Sequence, residues 1–494
     1  MVQIKGKIWG YLTVIGAFLF HLSLGYNYTI GNMNSYLKPY MNITSGQTVW
    51  FHAVVISGQA IGMPLGGLLE GKIGYRLVEV IGSILTSGGV MLSSLTVYYG
   101  LGPFIVTYAV MFGIGMGIPY SVLFSLAADW FPKHRAAVIG IILGGLGMGA
   151  LVFTPFQTEL INPNNLPNDD PSVLANVRLS FVKLGGFMLG LQIIGFILIR
   201  KNRNVEKEEP DVFLDSESGS EVGKAAFSNS SESRIYDYAG ETADDSIAAQ
   251  YQQQQEIYDY TTKEAMKSID FYTICVMIFI NSVPITLQTS SYKVFGGTLG
   301  IDDKYLSTVA TCTSIFNCSG RVIWGLLSDH LSFKIPCGWF LLQWSILFGT
   351  LPAIAMLPMN TLKPLYTIWV FLLFFSMAGH FVLMPAACTR IFGPKNTATT
   401  YGFLYLTTCP SALILAGITS VHDINQNFNL VFFCCCGLTL ASFLLHFFLK
   451  DRFGKLSGLT RVCVNLCEVC RYVPPEGRGE ADLEEFTDVD TRFD

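Results

Sequence analysis

The sequence predicts an all-α membrane protein with about twelve transmembrane helices in two pseudo-symmetric six-helix bundles, and three observations support this fold class. The mean hydropathy is +0.44 and 51 % of the residues are hydrophobic. Only 14 % are charged, whereas a soluble protein carries roughly 25 % charged residues. The apolar residues fall into long blocks rather than the short alternating segments of a membrane β-barrel. Each block approaches the roughly 20 residues that an α-helix needs to cross the hydrocarbon layer.

The apolar blocks number twelve, and we predict one helix for each. In chain order they are 8–30, 47–69, 77–97, 103–128, 136–158, 180–199, 270–292, 305–327, 335–357, 364–388, 397–420 and 428–449. The first block follows Lys5 and Lys7, a charge pattern shared with signal peptides. It is longer than the apolar region of about 7–15 residues in such peptides, and no small-residue cleavage site follows it. We therefore predict a retained first helix.

Lys and Arg residues are distributed unevenly between the short loops, which predicts the orientation because basic loops stay on the cytoplasmic side. They are frequent after helices two, four, six, ten and twelve: Lys72, Arg76, Lys133, Arg135, Arg200, Lys201, Arg203, Lys207, Arg390, Lys395, Lys450, Arg452 and Lys455. Both termini are therefore predicted to be cytoplasmic. The glycosylation acceptor pattern Asn42-Ile43-Thr44 falls on the opposite side and favours the secretory route and the plasma membrane.

Two polar segments divide the predicted helices into domains. We predict an N-terminal six-helix bundle at 1–200, a cytoplasmic disordered linker at 201–268, a C-terminal six-helix bundle at 269–450 and a cytoplasmic tail at 451–494. The linker and the tail contain too few apolar residues to fold alone. Both are candidate binding sites for cytoplasmic partners.

The two polar segments each carry one feature with two open interpretations. The linker contains Ile-Tyr-Asp-Tyr twice, at 235–238 and 257–260, which is either a tyrosine phosphorylation or docking element or simply linker composition. In the tail, Cys463, Cys467 and Cys470 lie close to the predicted membrane boundary. They are either palmitoylation sites or packing residues of an interfacial helix.

Similar loops follow the second and the eighth predicted helices and indicate an internal repeat. The first runs from Gly66 through Glu70 to Arg76, and the second runs from Gly325 through Asp329 to Lys334. Each places an acidic residue at a helix end and a basic residue beyond a tight turn. We expect Glu70, Arg76, Asp329 and Lys334 to pair with neighbouring helix ends and to act as gates, since transporters built from two repeats bind substrate between the halves.

Arg321 lies in the eighth predicted helix, eight residues before Asp329, which is roughly 12 Å along an α-helix. An arginine near the centre of a membrane costs at least about 2.5–3.5 kcal/mol, so a counter-charge must offset it. We find no Asp or Glu within the apolar interiors of the twelve blocks. We therefore predict an unpaired guanidinium that faces an aqueous cavity and binds a visiting anion; the alternative is a fixed salt bridge.

Several motifs resemble the major facilitator superfamily, and within it the branch of oxalate/formate antiporters and monocarboxylate transporters. The acidic and basic loops at Glu70 and Asp329 resemble the superfamily signature. The branch is indicated by Trp130-Phe131-Pro132-Lys133 and by the Gly-Arg-x-x-x-Gly-x-x-x-Asp run from 320 to 329. The glycines Gly113, Gly117, Gly140, Gly144 and Gly145 are part of the likeness. We interpret them as close helix contacts.

The resemblance implies that Arg321 holds a substrate carboxylate, for which a guanidinium can form two parallel hydrogen bonds. Two positions depart from the branch. Asn317 stands where monocarboxylate transporters carry an Asp linked to proton coupling, and Thr408 stands where the antiporters carry a second cation. One positive charge compensates a dianion less well than two. A monocarboxylate, or a carboxylate with a hydrogen-bonding end, is therefore favoured over oxalate.

Further candidates for the substrate site follow from the same resemblance and from polarity. Tyr120, Asn27 and Tyr28 match positions where the family places polar or aromatic lining residues, and packing is the alternative role for each. His380 is a candidate proton or polar site because imidazole titrates near neutral pH, although a plain hydrogen bond to a neighbouring helix explains it equally well. Gln59 and His21 are weaker candidates of the same kind.

These features favour a transporter over an enzyme. The predicted function is secondary active or facilitative transport of small organic anions of the monocarboxylate type by alternating access. The alternatives are a carrier of a neutral or zwitterionic solute, such as an amino acid, and a non-transporting sensor or scaffold. We find no metalloprotease, hydrolase or phosphate-binding motif. We therefore expect no catalytic residue, metal, cofactor or nucleic-acid partner, and a small carboxylate and the lipid bilayer as the partners.

Overall fold

The structure is a computed structural model that describes residues 2–202, 259–421 and 427–450. Within these ranges the chain forms helices and connecting loops. The first Ile-Tyr-Asp-Tyr copy at 235–238 and the cysteines Cys463, Cys467 and Cys470 lie outside the described residues. The predicted boundaries of the linker and the tail therefore stay predictions.

We number the twelve long helices α1 to α12. Four of them consist of two segments: α1 (Val2–Leu24 and Ile30–Met41, joined by the 3-10 turn Gly25–Thr29), α4 (Leu101–Ile105 and Phe112–Ala128, joined by the π-helical segment Val106–Met111), α5 (Arg135–Gly147 and Gly149–Ile161) and α11 (Thr397–Tyr405 and Thr408–Val421). The others are α2 (Ser45–Ile73), α3 (Tyr75–Thr96), α6 (Pro171–Leu198), α7 (Ile269–Thr298), α8 (Asp303–Leu331), α9 (Lys334–Ile354), α10 (Met359–Phe392) and α12 (Phe428–His446).

The predicted helices are confirmed, with one helix standing apart in composition. Among the described residues, eleven helices are long and apolar enough to cross a membrane. The remaining long helix is α8, which has 29 residues, or a length of roughly 43 Å. It is less apolar because it carries Arg321, Asn317 and several Ser and Thr residues. The least apolar long helix is therefore the one that contains the predicted anion-binding residue.

The first helix is longer than predicted. The apolar block was expected to end at residue 30, but α1 continues to Met41. Its polar residues face the protein interior, where the Asn32 side-chain amide donates a hydrogen bond of 2.7 Å to Gln157 Oε1 of α5. Met33 and Leu37 are fully buried beside it. The sequence prediction ended the helix too early because it counted Asn32 as a helix-breaking residue rather than as a buried contact.

The helices form two halves, α1–α6 and α7–α12, which meet mainly where α2 packs on α11 and where α5 packs on α8. Buried amides hold the helices within each half. In the N-terminal half, Gln192 of α6 donates hydrogen bonds of 3.0 Å to Ser23 of α1 and to Thr86 of α3. In the C-terminal half, the Trp344 indole donates to Gln288 Oε1 at 2.8 Å. Each half is therefore tied together internally by polar contacts.

One end of the molecule, which we call the basic face, carries Arg76, Arg135, Arg200, Arg390 and Lys395. Contacts between separate loops place these segments together. The Trp130 indole after α4 donates to the Arg200 carbonyl at 2.8 Å, and Arg135 pairs with Asp129 at 2.9 Å. The basic face is the end that the sequence predicts to be cytoplasmic.

Candidate functional site

Arg321 lies between the two halves and is fully buried, with 0 % of its surface exposed. The guanidinium makes three hydrogen bonds. Nε donates to Asn317 Oδ1 at 3.1 Å within α8. Nη1 donates to the Leu143 carbonyl of α5 at 2.6 Å, and Nη2 donates to the Tyr28 hydroxyl of α1 at 2.9 Å. A cation of the C-terminal half is thus held by two oxygens of the N-terminal half.

The partners of Arg321 are neutral. Within the described residues, carboxylates lie within 4.0 Å of a basic group only in the pairs Arg76–Glu79 and Arg135–Asp129. The fixed salt bridge that was the alternative for Arg321 is therefore not formed in the described part of the chain. The geometry leaves the positive charge without a neighbouring negative charge.

Glu79 corrects one expectation from the sequence. It lies inside α3 and is fully buried, although no acidic residue was expected in the apolar interiors. Arg76 lies 3.7 Å away. Both carboxylate oxygens of Glu79 lack a hydrogen-bond partner. The apolar block was set to begin at residue 77, so this carboxylate was counted with the loop before it.

A cavity lies next to Arg321, between the two halves. The N-terminal half contributes Asn27, Tyr28, His52, Ile56, Gln59, Met116, Tyr120 and Leu146, and the C-terminal half contributes Ser282, Ile285, Thr286, Thr289, His380, Phe381, Tyr405 and Thr408. The volume is about 50 Å³, compared with the roughly 10–15 Å³ that one water molecule needs. A cavity of this size suits a solute of a few non-hydrogen atoms.

Arg321 lies behind the cavity wall rather than on it. Tyr28 and Phe381 line the cavity and contact the guanidinium, with the Phe381 ring centre 4.6 Å from Arg321 Cζ. Burial behind this wall differs from the predicted guanidinium that faces water directly. The difference arises because the phenol and the ring supply the polar and cation–π contacts that a water-exposed guanidinium would otherwise take from solvent.

The predicted site residues fall into two groups. Asn27, Tyr28, Tyr120 and His380 line the cavity. Asn317 lies one helical turn before Arg321 and holds Nε from behind. The weaker candidate Gln59 lines the cavity, whereas the His21 ring is occupied by the carbonyls of Ala17 and Tyr120.

The structure adds residues that the sequence analysis did not single out. His52, Ser282, Thr286, Thr289, Phe381 and Tyr405 line the cavity. The polar side chains on α7 recur at 282, 286 and 289, which is the spacing of one helical face, and this periodicity was a usable signal. Thr408, the position matched to a second cation in the antiporters, also lines the cavity. The lining residues, all of them described, include no Asp, Glu, Lys or Arg.

The acidic residue of the second loop joins the two halves. Asp329 of α8 accepts hydrogen bonds from the backbone N–H groups of Ala136 at 3.0 Å and Ala137 at 2.7 Å. These groups belong to the first turn of α5, where a carboxylate is favourable for the helix dipole. The basic face is therefore closed by a contact between α8 and α5, on one side of the cavity.

The other predicted gate residues act within one half or through the backbone. Arg76 donates to the carbonyls of Phe196 and Ile199 at the end of α6, the latter at 2.6 Å. Lys334 begins α9. The Glu70 carbonyl accepts from the Gly74 N–H at 2.9 Å, and the Glu70 side chain makes no hydrogen bond within the described ranges. The two loops are therefore similar in sequence but differ in their contacts.

Glycines allow the closest helix contacts. A Cβ atom at Gly113, Gly117, Gly140 or Gly145 would lie 2.3–2.5 Å from a backbone carbonyl oxygen of a facing helix. At Gly140 that oxygen belongs to Arg321. The packing role expected for these glycines is confirmed. The contact at Gly140 also sets how closely α5 approaches the helix that carries Arg321.

Comparisons with known proteins agree with this architecture. Residues 13–234 match the family model of the Major Facilitator Superfamily. Apicoplast pyruvate carrier 1 of Toxoplasma gondii is 24 % identical over 493 residues, covering 84 % of this chain and 84 % of the carrier. The oxalate:formate antiporter of Oxalobacter formigenes is 21 % identical, covering 91 % of this chain and 93 % of the antiporter.

A solved structure shows the same fold. The proton:xylose symporter XylE superimposes with a TM-score of 0.64 at 14 % identity, covering 89 % of this chain and 95 % of the symporter. The helix count, the two halves and the central cavity are consistent with this likeness. The chain is a major facilitator superfamily protein that resembles the oxalate/formate antiporter and monocarboxylate transporter branch.

Proposed function

We propose that this protein is a secondary carrier of small organic anions of the monocarboxylate type that works by alternating access. One observation carries the proposal. Arg321 is buried between the halves beside a small polar cavity, and its described partners are neutral. A buried charge without a counter-charge is costly. A carboxylate that enters the cavity supplies the missing negative charge.

Binding requires a small change at the cavity wall. The Tyr28 hydroxyl occupies Nη2 of Arg321 and Tyr28 itself lines the cavity. When the phenol turns aside, a carboxylate oxygen takes its place on the guanidinium. Since a charged acceptor forms a stronger hydrogen bond than a neutral hydroxyl, the exchange favours the bound anion. His380 remains the candidate proton or polar site, because its imidazole borders the same cavity.

The composition of the cavity wall separates this proposal from the zwitterion alternative. An amino acid carries an ammonium group that needs a carboxylate or a set of oxygen acceptors when buried. The lining residues of the described chain include no Asp or Glu. The hydroxyl groups of Ser282, Thr286 and Thr289 instead suit a neutral hydrogen-bonding end, such as a keto or hydroxyl group.

The closed basic face fits one state of an alternating-access cycle. Asp329 joins α8 to the start of α5 at that face, while the cavity lies farther along the same pair of halves. Rocking the halves apart at this contact would open the cavity to the basic face. We place the protein in the plasma membrane with this face and both termini in the cytoplasm, following the distribution of basic loops.

The names of the relatives support the substrate class. One relative is a pyruvate carrier and another exchanges oxalate for formate. With one buried guanidinium and Thr408 on the cavity wall, this chain is suited to a single negative charge. We therefore propose pyruvate, lactate or a molecule of similar size over oxalate.

Counterflow in proteoliposomes tests the proposal. Vesicles containing the purified protein are loaded with unlabelled pyruvate, lactate, formate, oxalate, alanine or xylose, and entry of the labelled form of each solute is followed. We expect entry of monocarboxylates well above protein-free vesicles, with little entry of alanine or xylose. Absence of counterflow for every solute would favour the sensor or scaffold, and selective alanine counterflow would favour the zwitterion carrier.

A further inference from the structure

The end of the central segment rests on the basic face. Asp259 and Tyr260, the last two residues of the second Ile-Tyr-Asp-Tyr copy, lie against the loop between α10 and α11. The Tyr260 N–H donates to the Phe392 carbonyl at 2.9 Å, and the Asn396 side-chain amide donates to the Tyr260 carbonyl at 2.8 Å. The Tyr260 ring meets the Phe392 ring edge-on, with 6.1 Å between the ring centres.

The loop is shaped to receive this segment. Gly393 has a φ of +90°, in the region that favours glycine, and a Cβ atom there would lie 1.9 Å from Asp259 Oδ1. Immediately after Tyr260, Thr261 and Glu264 form a capping box that starts the short helix Thr262–Ala265. The Thr262 and Thr400 hydroxyls then meet at 3.2 Å. Contacts on both sides of Tyr260 therefore fix the segment to α10 and α11.

The charge of Asp259 is influenced by both halves of the protein. Burial raises the pKa of the Asp259 carboxyl, while the Lys395 N–H, the Lys395 charge and the Arg135 charge lower it, and Asp129 raises it. Lys395 belongs to the C-terminal half, whereas Arg135 and Asp129 belong to the start of α5 in the N-terminal half. Asp259 is thus a negative charge between basic residues of the two halves.

We propose that Asp259 and Tyr260 form a latch that docks on the α10–α11 loop and stabilises the closed basic face. The occupant of the docking site is the chain's own central segment. Docking fastens the latch to the C-terminal half through Phe392 and Asn396, and the attraction between Asp259 and Arg135 reaches the N-terminal half. Separation of the halves at this face would draw Arg135 away from Asp259, so the latch resists opening.

This inference concerns control of the conformational equilibrium and does not depend on which solute is carried. Hydrogen exchange measured by mass spectrometry on the full-length protein in nanodiscs tests it without a substrate. The variants are Asp259→Asn, which removes the charge, and Tyr260→Ala, which removes the ring packed on Phe392. Tyr260→Phe keeps the ring, and Asp169→Asn changes an exposed aspartate between α5 and α6; both serve as controls.

We expect Asp259→Asn and Tyr260→Ala to speed exchange at 393–400 and at 135–140 by roughly three- to tenfold, the range for losing one half-buried charged or packed contact. The two controls should stay within about twofold of wild type. Unchanged exchange in both segments would overturn the proposal. So would faster exchange that is confined to 393–400, since the latch would then not reach the N-terminal half, or faster exchange that is equal in all helices.

Discussion

The Arg321 guanidinium donates a 2.9 Å hydrogen bond to the Tyr28 hydroxyl, which joins α8 of the C-terminal half to α1 of the N-terminal half. The same guanidinium reaches the Leu143 carbonyl of α5 at 2.6 Å. The residue proposed to bind substrate therefore also links the halves that must move during transport. Anion binding and the conformational change share these contacts.

Removing the Tyr28 hydroxyl tests whether the phenol competes with substrate for Arg321. Tyr28→Phe leaves a buried N–H of a charged group without its acceptor, which destabilises the empty protein more than the anion-bound protein. We expect a lower melting temperature without ligand and roughly three- to tenfold tighter carboxylate binding. Titration of the purified variant by calorimetry measures the change. Weaker binding would mean that the hydroxyl contacts the substrate directly.

Enlarging Gly140 tests the close approach of α5 and α8. A Cβ atom at this position would lie 2.3 Å from the Arg321 carbonyl oxygen, so Gly140→Ala must push the helices apart at a cost of about 1–3 kcal/mol. We expect counterflow to fall by about tenfold or more, with part of the loss arising from the displaced Arg321.

Gly186→Ala is the matched control for this substitution. Gly186 lies in α6, and a Cβ atom there would meet no heavy atom within 4 Å. Its counterflow should match that of wild type when both are corrected for the amount of reconstituted protein. Equal activity of Gly140→Ala and Gly186→Ala would show that the helix spacing at Arg321 does not matter for transport.

Neutralising Asp329 tests the contact that closes the basic face. Asp329→Asn removes the charge that accepts the N–H groups of Ala136 and Ala137. Because hydrogen bonds to a charged group are worth roughly 1.5–3 kcal/mol, we expect hydrogen exchange of these two amides to rise about tenfold or more. Asp302→Asn is the control, since Asp302 caps its own helix α8 by accepting from the Tyr305 N–H at 3.1 Å. Persistent protection of Ala136 and Ala137 in Asp329→Asn would contradict the gating role.

Adding a second cation tests the charge selectivity. Thr408 is buried at the cavity wall with 3 % of its surface exposed. In Thr408→Lys the ammonium group would join Arg321 at the cavity and favour a dianion. We expect the ratio of oxalate to lactate counterflow to rise at least about tenfold, equivalent to about 1.4 kcal/mol. Thr408→Met, of similar length but neutral, should leave the ratio unchanged; an equal rise in both variants would assign the effect to shape.

The sequence was sufficient for the helices and for the identity of the buried cation, because hydropathy and a charge within an apolar run are local signals. It was not sufficient for the partners of Arg321. Leu143 and Tyr28 lie 178 and 293 residues away along the chain, and a backbone carbonyl acceptor leaves no trace in side-chain chemistry. Asn32 and Glu79 were misjudged for a related reason: whether a polar residue faces the interior depends on the neighbouring helix.

The docking of Asp259 and Tyr260 shows the same limit in a polar segment. The repeated Ile-Tyr-Asp-Tyr pattern marked the position but left docking and linker composition equally open. The contacts that hold the second copy come from Phe392, Gly393 and Asn396. These residues lie more than a hundred positions farther along the chain, so local composition could not reveal them.

The most direct measurement of the central idea compares an anion with its uncharged amide. Binding of lactate and of lactamide, which differ mainly in charge, is titrated on wild type, on Arg321→Gln and on Arg178→Gln, a control in which the altered arginine donates to the Ser94 carbonyl within the N-terminal half. We predict that wild type and Arg178→Gln prefer lactate by about a hundredfold, equivalent to about 2.7 kcal/mol, and that folded Arg321→Gln loses this preference. A folded Arg321→Gln protein that still prefers lactate to the same degree would contradict the assignment of Arg321 as the anion-binding group.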